Sequence, residues 1–348
     1  MFAKSEIVFV TCVCLLVFSC ASSAKKQKPE VSEAVSSPNP STFSDRVTIS
    51  LEDVTLADIV KKIGEKAGGR FAVMNGLEDI QVAQVRFSNA DFKTVAEKLS
   101  KETKCALQQC PSYFFFYWPG YEQLMNISLS SISYPQFVQK VDVIAFGNGM
   151  PLYAVFSWLG QALGTTIVAD NAVAEARCGE IALRDIPLHE AIEAILKSAR
   201  VAALEVDCTE DYLFISAPGN PNPRSCLLNP ETLDDRQRNY LETKVKVILP
   251  QAPREQGKIR LEPHAVPLRE VLPSLSDQLG ILVTAEEGMK EIPINPVAFH
   301  GVSIRTVLDL LIRQWLVNDF GYQFTSDRIV LRRRTSAERL VSPNIERK

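Results

Sequence analysis

One short pattern recurs six times and constrains this chain more than any other feature. It is an apolar residue, a helix-opening residue and a second apolar residue: Val54-Thr55-Leu56, Ala90-Asp91-Phe92, Met150-Pro151-Leu152, Ile186-Pro187-Leu188, Val266-Pro267-Leu268 and Val302-Ser303-Ile304. Thr, Asp and Ser oxygens cap free backbone N–H groups, and Pro fits the first helical turn. Positions four, five and eight beyond each middle residue are Ile59/Val60/Ile63, Val95/Ala96/Leu99, Val155/Phe156/Leu159, Ala191/Ile192/Ile195, Val271/Leu272/Leu275 and Val307/Leu308/Leu311. All are apolar, which is one helical face six times over.

Short strands precede these helices at Val47–Leu51, Val85–Phe87, Val141–Val143, Ile181–Leu183, Ile259–Leu261 and Val297–Phe299. Middle residues pair at a spacing of 36: 55 with 91, 151 with 187, 267 with 303. A hairpin follows each second helix, with strands near Cys105–Gln108 and Tyr113–Tyr117, Ala203–Val206 and Tyr212–Ile215, and Tyr322–Phe324 and Arg328–Leu331. The predicted fold class is therefore α+β, as three tandem small β-α-β-β-α-β-β domains at 46–118, 140–217 and 244–334. Repeats of this length read as independent small domains rather than solenoid turns. Segments 119–139 and 218–243 read as linkers, and Pro218-Gly-Asn-Pro-Asn-Pro223 argues against regular structure in the second.

Phe87-Ser-Asn-Ala-Asp-Phe-Lys-Thr-Val-Ala-Glu-Lys-Leu99 and Leu183-Arg-Asp-Ile-Pro-Leu-His-Glu-Ala-Ile-Glu-Ala-Ile-Leu196 resemble the short N-terminal domain of secretins and TonB receptors, the STN or N0-like domain. Leu51-Glu-Asp-Val-Thr-Leu-Ala-Asp-Ile-Val60 fits its first half, and Val297 to Leu331 fits in the third repeat, which has Pro263 where a strand residue is usual. The resemblance covers about two-thirds of the chain. It is a packing pattern without catalytic residues, specific for fold and weak for function. Neither the barrel strands of a secretin nor the plug and barrel of a receptor are recognisable, so the expectation is the periplasmic adaptor part alone.

The first residues read as an export signal. Ile7 to Phe18 is a run of about a dozen apolar, Thr and Cys residues, too short to span a bilayer. It ends in Val17-Phe18-Ser19-Cys20, which resembles a bacterial lipobox. That resemblance implies a signal peptide at 1–19, lipid on Cys20, and membrane attachment through the N-terminal lipid. Ala21 and Ser22 after the Cys resemble an outer-membrane sorting signal, with the protein facing the periplasm. Residues 20–45, rich in Ser, Lys, Pro and Ala, read as a flexible tether.

Candidate chemistry is sparse. A net charge of −3 argues against a nucleic-acid partner, and three His leave little for a metal or acid–base site. No nucleophile elbow, P-loop or His-Glu-x-x-His is present. His264 and His300 occupy equivalent turns and could approach one another, but no cofactor, no metal site and no enzymatic activity is predicted.

Five cysteines follow Cys20, in a compartment read as oxidising. One possible disulfide is Cys178 with Cys208. Within Tyr113-Phe-Phe-Phe-Tyr-Trp118, alternation sends Phe114 and Phe116 inward and Phe115 and Tyr117 outward, to solvent, a neighbouring repeat or a partner. From Lys244 onward there are 16 basic against 12 acidic residues, and before it 22 against 29. Arg332-Arg333-Arg334 opens a basic tail at 335–348. Phe115, Tyr117, Trp118 and these arginines are the candidate partner interface. The expected function is a lipid-anchored periplasmic adaptor or scaffold that binds proteins of a secretin-type secretion or pilus system. A TonB-transducer-type signalling module is the alternative, and a small-ligand binder or enzyme a weaker one.

Overall fold

The computed structural model describes residues 46–146, 149–250, 264–317, 319–336 and 338. The segments expected to be signal peptide and tether, with Cys20, the strand expected at 259–261, Pro263 and the residues beyond Glu338 lie outside the described residues. The fold is α+β, with helices and strands mixed in several small sheets.

In the first repeat the order is β1 (Val47–Thr55), α1 (Leu56–Ala67), β2 (Arg70–Val73), β3 (Gln81–Ala90), α2 (Phe92–Thr103), β4 (Ala106–Gln109) and β5 (Phe114–Tyr117). The second runs β6 (Lys140–Phe146), α3 (Leu152–Leu163), β7 (Ile167–Ala169), β8 (Ile181–Pro187), α4 (Leu188–Ser198), β9 (Glu205–Cys208) and β10 (Leu213–Ser216). In the third come β11 (Lys244–Leu249), α5 (Leu268–Leu279), β12 (Leu282–Ala285), β13 (Val297–Ser303), α6 (Ile304–Arg313), β14 (Phe320–Phe324) and β15 (Arg328–Arg333). Pairing within each repeat is the same. The first strand runs antiparallel to the third; the second runs parallel to the fifth, which is antiparallel to the fourth.

Local chemistry explains why these elements repeat. Two residues before a helix-opening residue the chain takes a left-handed turn at Asp53, Asn89, Gly149, Asp185 and Gly301, with φ between 48° and 79°. Asn, Asp and Gly are the residues that reach this region at least cost. Thr55, Asp91 and Ser303 then accept from the backbone N–H three residues on. The first helix of every repeat ends on a left-handed glycine: Gly68, Gly164 and Gly280.

The expectation of independent domains does not hold. Strand β2 pairs antiparallel with β8, Phe71 opposite Ala182, and joins the two repeats in one five-stranded sheet, β4-β5-β2-β8-β6. A single hydrophobic core spans repeats one and two. Val168 and Phe214, on the second repeat's sheet, belong to the core of the third. Small residues permit these joints: a Cβ on Gly160 of α3 would lie 3.6 Å from Ala298 Cβ on β13. Gly64 of α1 and Ala182 of β8, both buried, hold the equivalent places at the first joint. At the outer ends the same positions are Arg86, which is exposed, and Ser276.

The segments read as linkers are packed too. Leu124, Ile127, Leu129, Ile132 and Phe137 are buried in the first. In the second, Asp235–Leu241 is helical, and Leu228 N–H donates to the Tyr322 carbonyl of β14. Proline and glycine at 218–223 exclude helix there, but the later residues carry their own apolar anchors, Cys226, Leu233 and Leu241.

Candidate functional site

Alternation along β5 is as expected, but its second face is not a surface. Phe71 packs on Phe114 and Phe116, with ring centroids 5.9 and 6.0 Å away, and edge-on against Phe92 of α2. On the other face Phe115 stacks on Tyr117 at 5.7 Å. Both are buried because α4 of the next repeat lies across this sheet. Phe115 and Tyr117 are therefore removed from the partner interface and assigned to the joint, and Trp118 alone of the three keeps substantial exposure.

The joint carries a buried polar cluster. Glu193 and Lys197 of α4 form an ion pair of 2.6 Å with both side chains less than a tenth exposed. Glu193 also accepts from Tyr113 OH at 3.3 Å and from Leu129 N–H at 3.0 Å. Lys197 Nζ lies 4.0 Å from Cys110 Sγ. A cavity of about 260 Å³ opens beside them, lined in part by Gln108, Pro111, Met125, Ser128 and Glu190. Burial pushes the Cys110 thiol and the Tyr113 hydroxyl up, so both stay protonated at neutral pH. These groups satisfy one another, which is the signature of a structural joint.

The second joint repeats the device. Asp309 and Arg313 of α6 stand six and ten residues beyond Ser303, as Glu193 and Lys197 stand beyond Pro187. Arg313 donates to Asp207 of β9 at 2.8 Å, and its guanidinium lies 4.0 Å over the Phe214 ring. Asp309 accepts from Cys226 N–H at 2.6 Å, and burial pushes its carboxyl up to about 7. These four residues escaped the sequence reading, although their fixed offsets from the helix-opening residue were a signal.

Of the three arginines only Arg333 is exposed. Arg332 donates bidentately to Glu338 at 2.7 and 2.9 Å. Arg334 is buried, and its Nε donates to the Phe320 carbonyl. Both are removed from the candidate surface because they tie β15 to its own surroundings. Arg333 instead lies on the rim of an apolar pocket of about 280 Å³, lined also by Asn171, Ile292, Trp315, Leu316, Val317 and Phe320. The Arg333 guanidinium sits 5.6 Å from the Phe320 ring centroid, and Trp315 meets Phe320 edge-on at 5.5 Å. Leu316 and Val317 are each 47% exposed. The arrangement suits an apolar side chain in the pocket with a carboxylate beside it. Leu316 and Val317 were missed because they follow the last helical turn, where the apolar period no longer marks a face.

The predicted Cys178–Cys208 disulfide does not form: Cys105, Cys110, Cys178, Cys208 and Cys226 are all free thiols. Cys178 lies beside the turn after β2, its carbonyl accepting from Asn75 Nδ2, whereas Cys208 is on β9 at the outer edge of its sheet. Burial pushes Cys178 up to about 12 and Cys208 to about 11, which suppresses the reactive thiolate. His300 is half-buried and its pKa is lowered by that burial, while His264 is exposed. Among the described residues no group of three or more His, Cys, Asp and Glu side chains is arranged to hold a metal ion.

No protein-family model, no curated protein and no solved structure matches this chain.

Proposed function

We propose that this protein is an interaction module of the bacterial cell envelope. It is held to the outer membrane by lipid on Cys20 and acts in the periplasm as an adaptor for proteins of a secretin-type secretion or pilus system. The observation that carries the binding part is the exposed Leu316–Val317 pocket with Arg333 on its rim. An exposed apolar patch beside a cation is a frequent basis for peptide or protein capture. The STN-like pattern in the three repeats supports the choice of partner class, and the lipobox-like Ser19-Cys20 supports the location.

The test places a photo-crosslinker at Leu316 in the full chain in cells and identifies the captured proteins by mass spectrometry. Capture of a secretin, pilus or secretion component, lost on Val317→Asp, is the expected result. Capture of a TonB-dependent receptor with an inner-membrane regulator contradicts the adaptor reading. Quantitative outer-membrane recovery of a Cys20→Ser variant contradicts the lipid anchor.

A further inference from the structure

The first joint shows what a strand edge of this body accepts. Strand β8 runs along the outer edge of β2, with Phe71 opposite Ala182. Val73 N–H donates to the Glu180 carbonyl at 2.9 Å, so alternation turns the N–H and C=O of Phe71 toward Ala182, two residues away. Bare backbone lines this approach: a Cβ on Gly69 would lie 2.7 Å from Gly64 Cα of α1 and 3.2 Å from the Ala182 carbonyl oxygen. Three conditions recur at the joints. Nine residues beyond a repeat's first helix-opening residue stands a glycine, Gly64 or Gly160. Five residues before the second stands an alanine, Ala182 or Ala298. Seven residues beyond the second stands a buried apolar side chain, Ala194 or Leu310.

The edges that carry no joint among the described residues break all three. In the third repeat Ser276 of α5 replaces the glycine. Val283 of β12 is the equivalent of Phe71, each sixteen residues beyond its helix-opening residue, and β12 is an edge of its sheet. Ser276 Oγ accepts from Val283 N–H at 2.9 Å and lies 3.4 Å from the Val283 carbonyl oxygen; its own proton goes to the Leu272 carbonyl at 2.7 Å. One hydroxyl thus stands on Val283 where a strand stands on Phe71. In the first repeat Arg86 of β3, exposed, replaces the alanine, and Lys98 of α2 replaces the apolar residue. Strand β3 is paired with β1 alone. Lys98 Nζ donates to the Arg86 carbonyl at 3.3 Å and lies 5.1 Å from the Phe87 ring centroid, so the lysine crosses the open edge of β3.

Charge alone does not bar a second copy from these edges. Glu97 stands six residues beyond Asp91, as Glu193 stands beyond Pro187. Arg328 stands one residue before the partner of Val283, as Tyr113, which donates to Glu193, stands before the partner of Phe71. Glu97 would therefore meet a cation. Lys93 and Lys101 would bring like charge to Arg328 and Arg332, whose own partners are Asp327 and Glu338. The bar lies at the backbone. We propose that Ser276 and the Arg86–Lys98 pair are edge stops: these side chains occupy, within one chain, the strand backbone that a joint uses, and so keep the body from extending head to tail. Without them β3 of one copy fits β12 of another as β8 fits β2, a heterologous contact that propagates.

The test uses the full chain in cells with benzoylphenylalanine in place of Leu282, which is 48% exposed at the start of β12. With the native edges, irradiation is expected to give no dimer-mass product that contains Gln81–Ala90. Ser276→Gly, Arg86→Ala and Lys98→Ala together restore the residue types of the joints, and this variant is expected to join position 282 to that segment of a second copy. Such a product with the native edges overturns the proposal. So does its absence from the triple variant when the circular dichroism spectrum is unaltered. Hydrogen exchange reads the serine contact without the triple variant. Ser276→Ala is expected to speed exchange of the Val283 amide at least tenfold and to leave Arg70–Val73 unchanged. An unaltered Val283 rate overturns the proposal.

Discussion

Glu193→Ala and Glu97→Ala remove the same residue from the same position of two equivalent helices, and the structure assigns them very different costs. Glu97 lies 3.9 Å from Lys93, with side-chain exposures of 61% and 64%. Removing such a pair costs no more than about 0.5 kcal/mol. Glu193 pairs with Lys197 at 2.6 Å, with exposures of 9% and 5%, and serves two further donors. Its removal strands a buried ammonium, the Tyr113 hydroxyl and the Leu129 N–H, and breaking a buried pair costs about 3–5 kcal/mol. The two variants should differ by at least about 2.5 kcal/mol, close to a hundredfold in the folding equilibrium. The assay is equilibrium urea unfolding followed by circular dichroism, with the slope checked for constancy. Adding Lys197→Met to Glu193→Ala should recover part of the loss, since no charge is then left buried alone. Equal costs at positions 97 and 193, or a double variant no better than the single, would refute the reasoning that places α4 in a joint.

Phe115→Ser should destabilise by about 3–5 kcal/mol in the same assay, as for other buried aromatics, whereas Trp118→Ser should cost under about 1 kcal/mol. Burial raises the Glu180 carboxyl to about 7, above its unfolded value, so its contribution is full below the unfolded value and lost as pH rises through 7. Glu180→Gln should therefore flatten the fall in melting temperature between pH 5 and pH 8; an unchanged profile contradicts this. Leu316→Asp should leave the unfolding midpoint within experimental scatter and abolish the partner products of a photo-crosslinker placed instead at Val317. A melting temperature lowered by several degrees would instead make Leu316 part of the core.

The helices, their order and most strands were legible because each depends on local chemistry. A capping oxygen or a proline, an apolar face at helical spacing and a glycine thirteen residues on are all readable within one turn or one helix. The joints were less legible because they depend on which faces meet. Alternation sends Phe115 out of its own repeat's core, but only the packing of α4 decides between solvent, a neighbouring repeat and a partner. The unbroken aromatic run from Tyr113 to Trp118 fits better a strand covered on both sides. Cys178 and Cys208 are near in sequence, but the β2–β8 ladder draws Cys178 toward the first repeat. Arg332 and Arg334 counted toward a basic patch because composition does not reveal that Glu338 and the Phe320 carbonyl engage them. The Leu316–Val317 pocket needs Asn171 of the second repeat beside Phe320 of the third, a proximity carried by no local pattern.

The central claim is that the three repeats are one continuous body, beginning with the β2–β8 ladder. Its most direct measurement is native-state hydrogen exchange of the full chain, resolved on Arg70–Val73 and Ile181–Pro187. If the ladder joins the repeats, these two strands open together, with the same free energy of exchange and the same response to low urea. Exchange of β2 at a separate, lower free energy, unaffected by a destabilising change in α4 such as Glu193→Ala, would contradict it.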